Sequence, residues 1–423
     1  MANPSEANKS GQLSAQGPST SFQSMPQTKI STAALTPPPP PPPPPLPVPS
    51  PIKPIEVVDG EGEVFRGEVV DGNFIGVGVT SGQRYKGGIL ENMFHGHGEL
   101  VDSTFTLTGW FVKGKVHGLA RLVSENFVYT GAFLEDEWHG RGKLEWPDGG
   151  SYEGDFVKGS LSGHGVFRKP GEWIYTGALL DGFFHGRGKI EWPDGGSYEG
   201  DFVKGNRTGH GVQRGSEGWV YTGAFLEDEW HGRGKLEWPD GGSYQGDFVK
   251  GNRTGHGVQR GSEGWVYTGV FLEGEWHGRG KIEWPDFGSY EGDFVKGDRT
   301  GHGVQRGSEG WVYTGAFLGG EWHGRGKIEW PDGGSYEGNF VKGDRTGHGV
   351  QRTPDGTVYT GAYLEGLLHG RGKIEWPDGG SHEGDFVKGQ RHGHGVELDA
   401  NGTVLYTGEW KDDKQVKKGW FSW

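Results

Sequence analysis

The residues that first invite a chemical reading are histidines: His139, His185, His231, His277, His323 and His369 recur every 46 residues, each just ahead of a Gly-x-Gly. Imidazoles in one register suggest a metal site, but the spacing works against it. If the intervening chain forms strands, successive histidines of this series stand ~19 Å apart, whereas one ion needs its ligands within a few ångströms. His256 approaches in a second register, yet no carboxylate or cysteine completes a ligand set. No metal or other cofactor is therefore expected, and these histidines read as loop residues. Glycine-rich stretches such as His231-Gly232-Arg233-Gly234-Lys235 lack the Ser or Thr that a phosphate loop needs after its lysine, and no helix follows to aim a dipole at an anion. Acidic runs such as Glu227-Asp228-Glu229 have neither a unique copy nor a cleft. An active site is singular and asymmetric, and every candidate here is duplicated. The expectation is a chain without catalytic residues whose function is spread along a surface.

What must position such a surface is a repeat. Tyrosines fall at 129, 152, 175, 198, 221, 244, 267, 290, 313, 336 and 359, 23 residues apart each time. Looser copies begin at Phe65, Tyr85 and Leu107; His382 keeps the spacing and Tyr406 comes one residue late. Neighbouring copies alternate between two types, YTGAFLEDEWHGRGKLEWPDGGS at 221–243 and YQGDFVKGNRTGHGVQRGSEGWV at 244–266, so the full unit is a 46-residue pair. We call these type A and type B. In Tyr221 to Phe225 and Gly234 to Trp238, rings, glycines and aliphatic groups alternate with a period of two, the pattern of a strand with one buried face. Glu227 to Gly232 reads as the loop between two such strands, and Pro239-Asp240-Gly241-Gly242 as the turn to the next copy, because proline presets φ and glycine accepts positive φ. The fold class expected is all-β: an elongated single-layer array of about fifteen consecutive antiparallel hairpins over residues 55–410, with 411–423 as a capping segment. Within it, Tyr129 with Gly131, Tyr175 with Gly177, Tyr221 with Gly223 and Tyr267 with Gly269 are structural pairs, the glycine leaving room for a ring to lie across the backbone.

Composition agrees. Hydrophobic residues make up only 31% of the 423, while glycine supplies 85 and the apolar content is concentrated in 18 Trp, 22 Phe and 14 Tyr. The first 54 residues carry +2 (Lys9, Lys29 and Lys53 against Glu6), which leaves −16 of the overall −14 on the remainder and argues against nucleic-acid binding. There is no cysteine, hence no disulfide or thiolate chemistry. Without a secretory-type apolar stretch or a run long enough to span a bilayer, a cytoplasmic protein is expected, peripheral at a membrane or at the cytoskeleton. Residues 1–54 are rich in Ser and Pro and read as a disordered tail. Its unbroken Pro37 to Pro45, followed by Leu46 and Pro47, favours a polyproline II helix. Pro37, Pro40, Pro43, Pro45, Leu46 and Pro47 are the candidate ligand for a profilin, SH3, WW or EVH1 module, with a stiff spacer as the alternative.

The patterns Tyr85-x-Gly87-x(7)-His95-Gly96-x-Gly98 and Tyr129-x-Gly131-x-Phe133-x(5)-His139-Gly140-x-Gly142 resemble the membrane occupation and recognition nexus, or MORN, repeat. That resemblance implies an open β-hairpin array serving as a scaffold for protein partners or at membranes, in some cases a homodimer through its C-terminal repeats. Type B departs from the pattern, with Ser162, Thr208, Thr254, Thr300 and Thr346 where histidine is usual. Charge adds a further expectation. Copy 221–243 nets −3 and copy 244–266 nets +1, and Lys204/Arg207, Lys250/Arg253, Lys296/Arg299 and Lys342/Arg345 occupy equivalent positions. They would form a basic row able to meet lipid phosphates at ~1 kcal/mol for each cation, against acidic neighbours that cancel it beyond ~8 Å. Scaffolding of protein partners leads; binding of anionic phospholipid and a regulatory part in an enzyme complex are the alternatives.

Overall fold

The computed structural model describes residues 54–417; the proline-tract residues Pro37 to Pro47 lie outside them. The described residues hold 33 strands, from Ile55–Val58 to Lys414–Gln415, and no helix. They divide into two compact units, one ending at Glu229 and one beginning at Trp230. Within each, strands pair antiparallel with their sequence neighbours, as the period-two pattern requires.

One type B and type A pair from the second unit displays the plan. Ser243–Val249 and Asn252–Arg260 form the first hairpin, Val266–Leu272 and Glu275–Trp284 the second. Each tip is a two-residue turn with both residues at positive φ: Lys250 and Gly251 at 49° and 77°, Glu273 and Gly274 at 52° and 86°. These mirror-image turns match the right-handed twist of the strands they join. The expected loop Glu227 to Gly232 is thus corrected to Glu227 and Asp228 alone, at 49° and 69°, with Glu229–Glu237 already a strand. Between copies, Asp240 accepts from the Gly242 amide at 2.9 Å and Gly241 sits at 89°, the geometry that Pro-Asp-Gly-Gly favours.

Burial alternates along each first strand. In Ser243–Val249 the side chains of Tyr244 and Phe248 are covered and Gln245 and Val249 are open. Among the described residues no second layer covers the tyrosines; they are buried by lying down. Gly246 pairs with Gly257, Gly257 with Gly269 and Gly269 with Gly280, so a line of glycines crosses the strands. The Tyr244 ring rests on that line: a Cβ on Gly246 would stand 2.3 Å from its hydroxyl, and one on Gly257 2.5 Å from its ring. Its hydroxyl donates to the Asp247 carbonyl at 3.1 Å, which satisfies the one polar atom taken out of water. Every tyrosine of the 23-residue series from Tyr129 to Tyr336 is fully buried in this way, at ~2 kcal/mol of apolar burial apiece. Tyr244 meets Phe248 of its own copy edge-on at 5.1 Å and Phe271 of the next at 4.8 Å, which ties one hairpin to another.

The first unit repeats the scheme with different covers. Phe94, Trp138 and Phe184 stack on Tyr85, Tyr129 and Tyr175, with interplanar angles of 12° or less. At its start Ile55–Val58 pairs antiparallel with Val64–Val70, and Val58 also meets Met93. At the other end of the chain His382 takes a tyrosine position and is fully buried. It is too short to repeat the carbonyl contact, both ring nitrogens lack a partner, and burial holds it below the usual histidine value.

Burial raises the hydroxyls of the fully buried series from Tyr129 to Tyr336; Tyr290 is pushed up to about 12. A phenol that ionises less readily when folded stabilises the fold fully below its ordinary pKa of 10.0 and loses that contribution as pH rises through the folded value. Denaturation of the array should therefore show stability unaffected by tyrosine below pH 10 and falling above it, with difference absorbance at 295 nm rising only as strand signal is lost. Gly257→Ala should destabilise its hairpin by roughly 1–3 kcal/mol through the clash with Tyr244, seen as faster amide exchange across 243–272. Gly241→Ala, where a Cβ meets nothing within 4 Å, should show only the smaller cost of its positive φ.

Candidate interaction surface

The expected row of paired cations splits in two. Lys204, Lys250, Lys296 and Lys342 are exposed at hairpin tips, each with φ between 49° and 51°. The arginines three residues on are turned the other way. Arg207, Arg253, Arg299 and Arg345 lie on the aromatic face, with guanidinium carbons 5.5–5.7 Å from the centres of two rings apiece, such as Tyr244 and Phe271 for Arg253. The reason is alternation. Arg253 is the second residue of Asn252–Arg260, and the second residue of Glu275–Trp284 is Trp276, which stacks on Tyr267 at 4.4 Å and 7°. Arginine and tryptophan are thus two solutions to one task, covering a tyrosine from solvent, and a planar cation performs it almost as an aromatic does. Aligning the two types on their tyrosines would have placed Arg under Trp; reading charge without face obscured it. The surface cations of this row are the four lysines alone.

The covers also stitch the copies. Arg253 Nη2 donates forward to the Gly274 carbonyl at 2.6 Å, and Trp276 Nε1 donates back to Gln259 Oε1 at 3.1 Å. Arg299 with Gly320 and Trp322 with Gln305 repeat the arrangement. Both bonds join a type B copy to the type A that follows it. The opposite junction is held by rings, with Phe294 edge-on to Tyr267 at 5.2 Å and to Trp276 at 5.8 Å. In the first unit Arg207 goes further: Nε reaches Asp228 Oδ1 at 3.1 Å and Nη2 the Asp228 carbonyl at 2.7 Å. Gly274 and Gly320 replace that aspartate, so Arg253 and Arg299 have a carbonyl but no carboxylate, and burial pulls both below the usual arginine value.

The outward face is polar and internally paired, with Lys281 to Glu283 at 2.6 Å and Arg233 to Asp247 at 3.5 Å, both exposed. His277 lies within Glu275–Trp284 opposite Val270, in a strand and not a loop. Among the described residues no group of three His, Asp or Glu side chains is placed to share an ion. Tyr129, Tyr175, Tyr221 and Tyr267 with Gly131, Gly177, Gly223 and Gly269 belong to the aromatic face and are not available to a ligand. Sequence reasoning missed two features. One is the aliphatic residue beside each tip before the last: Val249, Leu272, Val295, Leu318, Val341, Leu364 and Val387 in the second unit are 39–59% exposed. The other is Trp110 with Leu119, 55% and 71% exposed in the first unit. The signal for both was present, in the open parity of the strand and in a copy that breaks the consensus.

With this geometry in view, a family model described as MORN repeat matches residues 85–104, 129–151, 152–172, 175–197, 198–220, 221–243, 244–266, 267–289, 290–312, 313–335, 336–358, 359–381, 382–404 and 406–423. No curated protein matches the sequence. Among solved structures, the TCP10 domain of Danio rerio CPAP in complex with a STIL peptide is 13% identical, over 63% of this chain and 98% of that one, with a TM-score of 0.22. The TCP domain of Drosophila melanogaster SAS-4 with a proline-rich motif of Ana2 is 12% identical, over 46% and 86%, at 0.17. A streptogramin B lyase is 13% identical, over 73% and 90%, at 0.12. Scores this low do not amount to a shared fold.

The difference between Arg207 and Arg253 is testable by transplantation. Gly274→Asp should give Arg253 the carboxylate that Arg207 has; a charge-assisted bond of ~2 kcal/mol set against ~1 kcal/mol for a non-glycine residue at positive φ predicts a net gain of about 1 kcal/mol. Gly274→Ala bears the same backbone cost without an acceptor and should lose stability. Denaturant midpoints of the two variants decide it, and equal destabilisation by both would count against the stitch.

Proposed function

The chain belongs to the MORN repeat family, a repeat scaffold-type architecture, and from that premise we propose that it binds protein partners through the hairpin tips and outward face of its array. The observation that carries this reading is the exposed aliphatic residue beside each tip. A single such residue is ordinary, but one per hairpin at ~9.6 Å intervals is a repeated apolar contact with no function in the fold. Alternating Val-Lys-Gly and Leu-Glu-Gly tips, as at 249–251 and 272–274, set charges of opposite sign beside it and supply a register for a partner. The proline tract of the tail serves as a ligand for a proline-reading module or as a spacer.

A second reading rests on the lysines. Lys250, Lys296 and Lys342 each follow an exposed valine, the combination of an apolar contact and a cation that an anionic bilayer favours. The net charge of the array opposes it.

Two measurements separate the readings. Proteins retained from a cell extract by the full chain should be lost from a variant carrying Val249→Ser, Leu272→Ser, Val295→Ser and Leu318→Ser with unaltered circular dichroism; an unchanged set on both columns would defeat the tip proposal. Flotation with phosphoinositide-containing vesicles that is salt-sensitive and abolished by Lys204→Glu, Lys250→Glu, Lys296→Glu and Lys342→Glu would instead make the chain a membrane-attached scaffold. Absence of flotation at physiological salt leaves protein binding as the function.

A further inference from the structure

One copy differs from the others on its outward face. Phe105–Val112 and Lys115–Ser124 form a regular type B hairpin, yet the family model passes over it, matching up to 104 and again from 129. In other type B copies the residue directly after the first strand's glycine, third after the tyrosine, makes a polar contact. Asp155 accepts from the His164 amide at 3.0 Å, Asp201 from His210 at 3.1 Å and Asp293 from His302 at 3.2 Å. Here the aspartate is Trp110 and the histidine is Leu119. Neither is covered: the nearest ring to Trp110 is the His97 imidazole, edge-on at 6.3 Å, and Leu119 is more exposed than any aliphatic residue of the tip rows. Exchanging a solvated aspartate and histidine for an open tryptophan and leucine brings nothing to the fold, whose aromatic face is intact at Phe111 and Leu107. An exposed apolar pair on a polar face marks a contact with something else.

The surroundings say what. Trp110 and Leu119 line an open cleft of 510 Å³ together with Arg121, Arg141 and Lys143, against one carboxylate, Glu153. Arg141 is 77% exposed at 3.3 Å from Asp155, and Lys143 is paired with Glu145. Arg121 is exposed and has no carboxylate within ion-pair distance. We propose that this cleft is a docking site for an acidic linear peptide of a partner protein, an aromatic or aliphatic side chain seated between Trp110 and Leu119 and flanking carboxylates on Arg121 and Arg141. A buried aromatic anchor with charges at the rim is how a small site reaches useful affinity. The proposal rests on the scaffold reading and adds to it a single, non-repeated address in the third hairpin. The chain's own tail is a poor occupant, since its first 54 residues are net positive.

The test is a random dodecapeptide display library panned in parallel on the full wild-type chain and on a Trp110→Asp, Leu119→His double variant. These substitutions restore residues that other copies carry, so the hairpin should fold, and matching thermal unfolding curves verify it. The expected result is a set of clones held by wild type and lost from the variant, net acidic with one large apolar residue. Labelled peptides from that set should bind the variant at least ~10-fold more weakly by fluorescence anisotropy, and Arg121→Glu should weaken them as well. Discriminating clones that are basic or proline-rich would overturn the assigned chemistry. Clones held equally by both chains would overturn the site while leaving the scaffold reading standing, and no enrichment on wild type would tell against both. Vesicle flotation that the double variant abolishes would give the patch to a lipid surface and defeat the proposal.

Discussion

A tyrosine ring lies flat against a β-strand only where the backbone beneath it carries no Cβ, and this one steric condition organises the whole array. It demands glycine at paired positions on adjacent strands, Gly246 opposite Gly257 and Gly257 opposite Gly269. It lets the Tyr244 hydroxyl fold back to a carbonyl three residues on, so burial does not strand it. It also explains how the described residues, with so few aliphatic side chains among them, fold without helices or a second layer: the sheet makes its own cover from side chains laid along it. Bulky residues at the glycine line would lift the ring and expose the face.

The ring needs a second cover on its outer side, and there the chain uses two unlike side chains for one purpose. Trp276 stacks in parallel and donates back to Gln259; Arg253 lies over Tyr244 and donates forward to Gly274. Arginine is the more demanding choice, because its Nη1 is left buried without a partner in Arg207, Arg253 and Arg299. What it offers in exchange is reach, joining two rings and a carbonyl of the following hairpin. The result is a core in which apolar stacking and cation–ring contact alternate, with Arg207, Arg253, Arg299 and Arg345 drawn inward.

Much of this was legible from period alone. The 23-residue tyrosines, the Pro-Asp-Gly-Gly turns and the ring-glycine alternation specify hairpins, because each is a local condition on φ or on strand parity. Tip length was less so: apart from Trp230, Glu227 to Gly232 is polar or glycine, and only hydrogen-bond pairing shows that strand resumes at Glu229. Arg207 and its equivalents were misread because a charged residue near a turn suggests solvent, while parity places it among rings. Trp110 and Leu119 passed unremarked for the opposite reason, since apolar residues in a strand suggest the core, and in that copy the core positions were already filled by Leu107, Phe111 and Val116.

The stitching has a consequence for how such a gene can change length. Arg253 to Gly274 and Trp276 to Gln259 both close within the segment 244–289, a type B copy and the type A that follows it. Recombination between near-identical copies that gains or loses this segment leaves every stitch and every cover in place. A slip by a single copy sets two alike side by side, so that an arginine meets the wrong tip or a tryptophan finds no glutamine. Strand pairing would tolerate either event, but only the first keeps the buried polar atoms matched. The array is therefore free to lengthen or shorten in steps of two hairpins.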